Sequence, residues 1–131
     1  KNIKLVFQPG EEHKIITDAM LLERAFSNVM SNCIRYAGTQ VAVAVREKEG
    51  DILITVTDDG PGFPDGGTEH LFDRFYKVKG GNHGLGLAIA RCSMEYMGGS
   101  VRAADTQKGA EFEITLPQDC RSFAPDERTE M

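Results

Sequence analysis

Residues 22–37, LERAFSNVMSNCIRYA, constrain the fold of this chain more than any other stretch. At about 100° per residue, Phe26, Val29, Met30, Cys33 and Ala37 form one apolar stripe, and Asn28, Asn32, Arg35 and Tyr36 form a second stripe beside it. A surface helix needs one covered face, whereas this one offers two faces that ask for partners. Two mid-helix asparagines each cost up to about 0.7 kcal/mol relative to alanine, because their amides compete for local backbone groups. A face meant only for water would be served as well by Glu or Lys. An amide carbonyl is instead a neutral oxygen ligand suited to a hard cation such as Mg²⁺, and a guanidinium three residues past Asn32 suits a phosphate carried by that cation. The polar stripe therefore reads as one wall of a Mg-nucleotide site, given a second wall elsewhere.

The flanking sequence sets the frame of that helix. Ile3, Leu5 and Phe7 alternate with polar residues as a strand does, Pro9-Gly10 turns the chain, and residues 13–17 suit a short returning strand. Asp18 is placed to cap the helix start and Gly38 to end it. Residues 41–47 and 51–57 read as a hairpin around Glu49-Gly50, and residues 101–104 and 110–116 as a second around Lys108-Gly109. A short helix is expected over 69–75 and a longer one over 85–97, closed by Gly98-Gly99. The predicted fold is α+β: a two-layer sandwich in which a mixed sheet of about five strands, with a short hairpin, packs against three helices. Residues 1–117 form the expected domain, and 118–131, polar and aperiodic, a flexible C-terminal tail.

Composition excludes several functions. A net charge of −5 argues against nucleic acid as a partner, which calls for a basic surface. Cys33, Cys92 and Cys120 are odd in number and widely spaced, so no disulfide framework or paired-cysteine metal site is indicated. No apolar run approaches the roughly 18 residues of a membrane span. The chain opens on Lys1 in strand-like sequence and is expected to be a segment of a longer protein.

The second wall comes from two glycine-rich stretches. Residues 58–67, DDGPGFPDGG, hold four of the 14 glycines, so regular structure stops there. Asp58, at a strand end, can accept the exocyclic amine of adenine, and Gly60 and Gly62 let the backbone approach a flat base. Residues 77–86, KVKGGNHGLG, lead into a helix whose free N–H groups and positive dipole end suit phosphate oxygens. The dinucleotide fingerprint, the P-loop and the protein-kinase motif set are all absent.

An Asn-bearing helix, DxGxG after a strand, FDRFYK, GLGL opening a helix and KGAEF before a closing LP occur here in that order. The series resembles the ATP-binding catalytic domain of two-component sensor histidine kinases, within the GHKL ATPase superfamily. The resemblance implies ATP and Mg²⁺ as cofactors, with Asn32 as the metal ligand, Asn28 beside the phosphates, Arg35 and Lys77 facing phosphate and Tyr36 covering the nucleotide. It implies Asp58 on the adenine amine, Gly60 and Gly62 beside the base, and the box of Gly84, Leu85, Gly86 and Leu87 on the phosphates. Residues 78–83 would form the lid, ending at His83, the one histidine expected to touch the nucleotide, and Phe72 and Phe75 would be the aromatic pair before it.

As partners the resemblance implies the dimerisation and histidine-phosphotransfer domain of the parent chain, and a response regulator. A homodimeric, cytoplasmic parent, anchored in the cell membrane or free, is expected; the fragment itself suits a monomer. The alternatives are a GHKL-type ATPase and a degenerate nucleotide sensor. Three departures stand out: a short lid, Phe63 where Ile is common, and Ala110 where the family usually has Thr or Ser. Lys77 also replaces a frequent Arg. None of His13, His70 and His83 is followed by the acidic residue of the family's acceptor motif.

Overall fold

The computed structural model of the chain describes residues 2–8, 10, 12–62, 71–72, 86–106 and 109–122. Strands β1 (Lys4–Phe7), β2 (Gln40–Lys48), β3 (Asp51–Asp58), β4 (Ser100–Thr106) and β5 (Gly109–Pro117) form one mixed sheet in the spatial order β1-β2-β3-β5-β4. β1 runs parallel to β2, and the remaining neighbours are antiparallel. A parallel pair needs a crossover, which helix α1 (Ala19–Tyr36) supplies. Helix α2 (Gly86–Tyr96) precedes β4 and packs beside α1. The α+β two-layer sandwich expected from sequence is the architecture observed.

Local chemistry explains most element ends. The Asp18 carboxylate accepts hydrogen bonds from the amides of Met20 (3.0 Å) and Leu21 (3.1 Å), satisfying donors that open the helix. Glu49 and Gly50 both have positive φ (53° and 86°), the pair of left-handed residues that a two-residue hairpin demands. Gly98 (φ 84°) closes α2, with the Gly99 amide donating to the Met94 carbonyl at 2.8 Å.

Two local expectations are corrected. Gly38 is not a left-handed cap: α1 ends at Tyr36, Ala37 is already extended (φ −63°, ψ 147°), and a carboxylate from after β3 gathers the next amides. Residues 13–17 do not return as a strand beside β1; Ile16 forms only an isolated parallel bridge to Asp119. The helix expected over 69–75 lies outside the described residues except Leu71 and Phe72, which are in a turn. Residues 118–122, assigned to the tail by sequence, carry that bridge and the 3₁₀ turn Cys120–Ser122.

The core lies between the sheet and the helix layer. Val29, Met30, Cys33 and Ala37 of the predicted apolar stripe are buried, and Phe26 packs against them half-buried. They meet Val41, Val43, Ile52, Val56, Phe112, Ile114 and Leu116 from the sheet and Ala90, Met94 and Met97 from α2 and its end. Phe72 stands edge-on to Phe112, with centroids 6.3 Å apart. The opposite sheet face carries Ala42, Ala44, Thr55, Thr57 and Glu111, and Glu113 there meets Arg46 and Arg102 at 3.8 and 3.7 Å. Among the described residues no helix is long and apolar enough to cross a membrane.

Candidate functional site

The C-terminal end of β3, the exit of α1 and the start of β5 converge on one buried carboxylate. Asp58 is 4% exposed. Its Oδ1 accepts the amides of Gly60 (2.9 Å) and Ala110 (3.3 Å), while Oδ2 is buried with no hydrogen-bond partner among the described residues. An unpartnered buried acceptor costs about 1–3 kcal/mol, more when charged, so such an atom calls for a donor beyond the described residues. From α1, the fully buried Cys33 thiol faces the same carboxylate. Burial first, then the negative charge of Asp58 and its hydrogen bond to the thiol, push Cys33 up to about 12. A thiol is a weak donor, so this contact leaves Asp58 with acceptor capacity to spare.

The neighbouring carboxylate does a different task. Asp59 Oδ1 accepts the amides of Gly38 (2.9 Å), Thr39 (2.8 Å) and Gln40 (3.0 Å), and Oδ2 accepts the Thr39 hydroxyl. The Thr39 hydroxyl first, and then the amides of Thr39, Gln40 and Gly38, hold this carboxyl well below the usual carboxylate range. Asp59 thereby straps the α1 exit to the β3 exit. The two backbones are so close that a Cβ at Gly60 would stand 1.9 Å from the Tyr36 carbonyl oxygen. The room that Gly60 frees is therefore filled by α1, not left open for a base. Gly109 (φ 141°) serves alike: a Cβ there would meet the Asp58 carbonyl oxygen at 2.2 Å.

Along α1, Asn28, Asn32 and Tyr36 are half-buried on the polar stripe, and Arg35 is exposed in the last turn. Asn28 faces the start of α2, where a Cβ at Gly86 would lie 3.1 Å from its Oδ1. One helix thus presents Cys33 to Asp58 and Asn28 to the positive end of α2, whose first amides lack intrahelical acceptors. Leu87 packs against the core, so its contribution to a ligand is confined to its backbone N–H. Gly62 has φ 85° two residues past Gly60. Lys77, His83, Gly84 and Leu85, with Phe75 and the lid, lie outside the described residues.

The donor set fits a magnesium ion that arrives with a nucleotide. Among the described residues no cluster of three His, Cys, Asp or Glu side chains exists to cage a metal. Mg²⁺ keeps several waters and takes one or two protein oxygens plus substrate phosphates, a demand that a half-buried asparagine amide meets. His13, 3.7 Å from Glu47, sits apart on the β2 flank.

Sequence reasoning missed Cys33, Asp59, Gly109 and the Ala110 amide as parts of this site. The doublet Asp58-Asp59 is visible in sequence, but which carboxylate is buried depends on strand register, and Cys33 looks like any other member of the apolar stripe.

The family model for histidine kinase-, DNA gyrase B- and HSP90-like ATPases matches residues 17–119. The signal transduction histidine-protein kinase AfsQ2 of Streptomyces coelicolor is 36% identical over 124 residues, covering 86% of this chain and 23% of its own length. Among solved structures, the mycobacterial sensor histidine kinase MprB matches with TM-score 0.74 and 28% identity, covering 90% of this chain and 82% of that one. Full-length ShkA in complex with AMPPNP matches with TM-score 0.79 and 25% identity, covering 88% and 25%. The chain thus spans about a quarter of the length of AfsQ2.

Proposed function

Because this chain belongs to the family of histidine kinase-, DNA gyrase B- and HSP90-like ATPases, and its relatives are sensor histidine kinases, we propose that it binds Mg-ATP and supplies the γ-phosphoryl group to a histidine on a separate dimerisation domain, for relay to a response regulator. The observation that carries this reading is the buried Oδ2 of Asp58, which has no hydrogen-bond partner among the described residues and is an acceptor suited to the exocyclic amine of adenine. AMPPNP, the imido analogue of ATP, on the structural relative ShkA supports the same ligand class.

Each residue then has a task. Asp58 takes the base and Tyr36 covers it. Asn32 offers its amide oxygen to the metal, with Asn28 beside the phosphates. Arg35 and Lys77 meet phosphate charge, and the backbone N–H groups of Gly84, Leu85, Gly86 and Leu87 cradle phosphate oxygens at the helix start. Bound Mg²⁺ supplies neutralisation of the developing charge. Phosphoryl transfer asks of the protein mainly positioning and charge stabilisation, both within reach of these groups. A homodimeric parent that lies in the cytoplasm or is anchored to the membrane with this domain on the ATP-bearing side completes the proposal.

An amide at Asn28 cannot act as a general base, which disfavours the hydrolytic branch of the superfamily and predicts slow ATP hydrolysis. The sensor alternative draws on Ala110, which gives Asp58 an amide but no hydroxyl. Calorimetry separates the readings: wild type is expected to bind Mg-ATP, and Asn32→Ala to bind it at least about tenfold more weakly with the loss greater in Mg²⁺ than in EDTA. Equal binding by both proteins, or none by wild type, would overturn the Mg-ATP assignment. With no acceptor histidine, the isolated chain is expected to accumulate no acid-labile phosphate.

A further inference from the structure

The two walls of the cleft are joined by two kinds of force. Along its length α1 is held to the sheet by Val29, Met30 and Cys33, apolar contacts that set how deep the helix sits and carry little directional preference. At its exit the joint is polar. The Asp59 carboxylate collects the amides of Gly38 (2.9 Å), Thr39 (2.8 Å) and Gln40 (3.0 Å) on one oxygen and the Thr39 hydroxyl on the other. Three successive N–H groups converge on one acceptor only when the turn after α1 takes a single shape. Beside that turn the Gly60 Cα lies against the Tyr36 carbonyl, where a Cβ would stand 1.9 Å from the oxygen. Asp58 and Asp59 are consecutive, so a shift of the turn against β3 is a shift of Asn32, Arg35 and Tyr36 against the Asp58 carboxylate.

We propose that Asp59 is a positioning residue that sets the spacing between the two walls, and with it the ability of one nucleotide to engage both at once. It acts without touching the ligand, through the backbone it shares with Asp58 and the turn it grips. The proposal rests on the adenine-nucleotide reading above and deepens it. A base at Asp58 and a metal-bound phosphate at Asn32 belong to one rigid molecule, so a wall displaced by a fraction of an ångström forfeits part of one contact to keep the other. The competing role is a plain brace of the fold, whose loss acts on every ligand alike by lowering the fraction of folded chain.

The two roles separate on a ligand pair: Mg-ATP, which reaches both walls, and adenosine, which carries the base without the phosphates. Mg-ATP binding is measured by calorimetry, and the weaker adenosine by NMR shifts of the Gly60 and Ala110 amides. Both are applied to the whole chain as wild type, Asp59→Ala and Asp59→Asn, at a temperature below each thermal midpoint. Wild type is expected to favour Mg-ATP. Asp59→Ala should weaken Mg-ATP roughly threefold to tenfold and leave adenosine within about twofold of wild type. Asp59→Asn, which keeps a carbonyl oxygen for the three amides, should hold Mg-ATP to within about twofold. Thr39→Val, which removes only the hydroxyl contact, should show a smaller loss of the same selective kind, and it carries the test if Asp59→Ala does not fold. Equal weakening of both ligands, no weakening of Mg-ATP, or an Asp59→Asn as weak as Asp59→Ala overturns the positioning role while leaving the nucleotide reading intact. A wild-type chain that binds Mg-ATP no better than adenosine overturns both.

Discussion

The inner and outer sides of the β3 exit carry adjacent carboxylates that are treated in opposite ways. Among the described residues, Asp58 on the inner side is buried with one oxygen lacking a partner, and Asp59 on the outer side has four donors. A fully partnered carboxylate has nothing left to offer a ligand, so Asp59 belongs to the scaffold. A buried and half-partnered one is a debt of the fold that a bound molecule can cancel. Exposure alone would have ranked these two residues the wrong way round as binding candidates.

The sharpest way to break this contrast is Asp58→Ala. It should weaken Mg-ATP roughly 10- to 100-fold, the range for a hydrogen bond to a charged group. Its unfolding midpoint should fall only modestly, because removal of the unpartnered Oδ2 offsets part of the cost of leaving the Gly60 and Ala110 amides without their acceptor. A sharp fall in stability with unchanged binding would reverse the roles assigned to the two carboxylates.

The thiol behind Asp58 sharpens the inner half of the comparison. Cys33 has a folded-state pKa near 12, above the ordinary value of 9.0, so the unfolded chain loses its proton first as pH rises. Wild type should therefore lose about 1.4 kcal/mol of stability per pH unit relative to Cys33→Ala between those two values, and nothing below them. Paired urea melts at pH 8, 10 and 11 read this difference.

The smallest effect on binding belongs to the outer side. Asp59→Ala should speed amide exchange at Thr39 and Gln40 at least about tenfold while altering ATP affinity less than Asp58→Ala does. Because the folded carboxyl is lowered, the strap is fully present above the ordinary carboxylate range near 4 and fails only as pH falls well below it. Exchange at those amides, followed from pH 5 downward in wild type, should stay protected past the point where unperturbed carboxylates titrate.

The contrast also marks the reach of sequence reasoning. Features set by nearest neighbours were legible: the Asp18 cap, the Glu49-Gly50 turn, the Gly98-Gly99 closure and the buried stripe of α1 all follow from spacing and residue type. What escaped depends on segments distant in the chain. Gly60 looked like room for a ligand, yet it clears the Tyr36 carbonyl; Gly38 looked like a helix stop, yet its amide serves Asp59. Residues 13–17 had strand-like alternation, yet they leave the outer edge of β1 and Ile16 pairs instead with Asp119, from the far end of the described chain.

That lone bridge has a consequence for how such a unit is housed. The Ile16 amide donates to the Gln118 carbonyl at 2.9 Å and the Cys120 amide to the Ile16 carbonyl at 2.8 Å. The segments on either side of the matched stretch are thereby buttoned together outside the regular strands. A clasp of this kind lets the end of the unit be tugged without the pull reaching its interior directly.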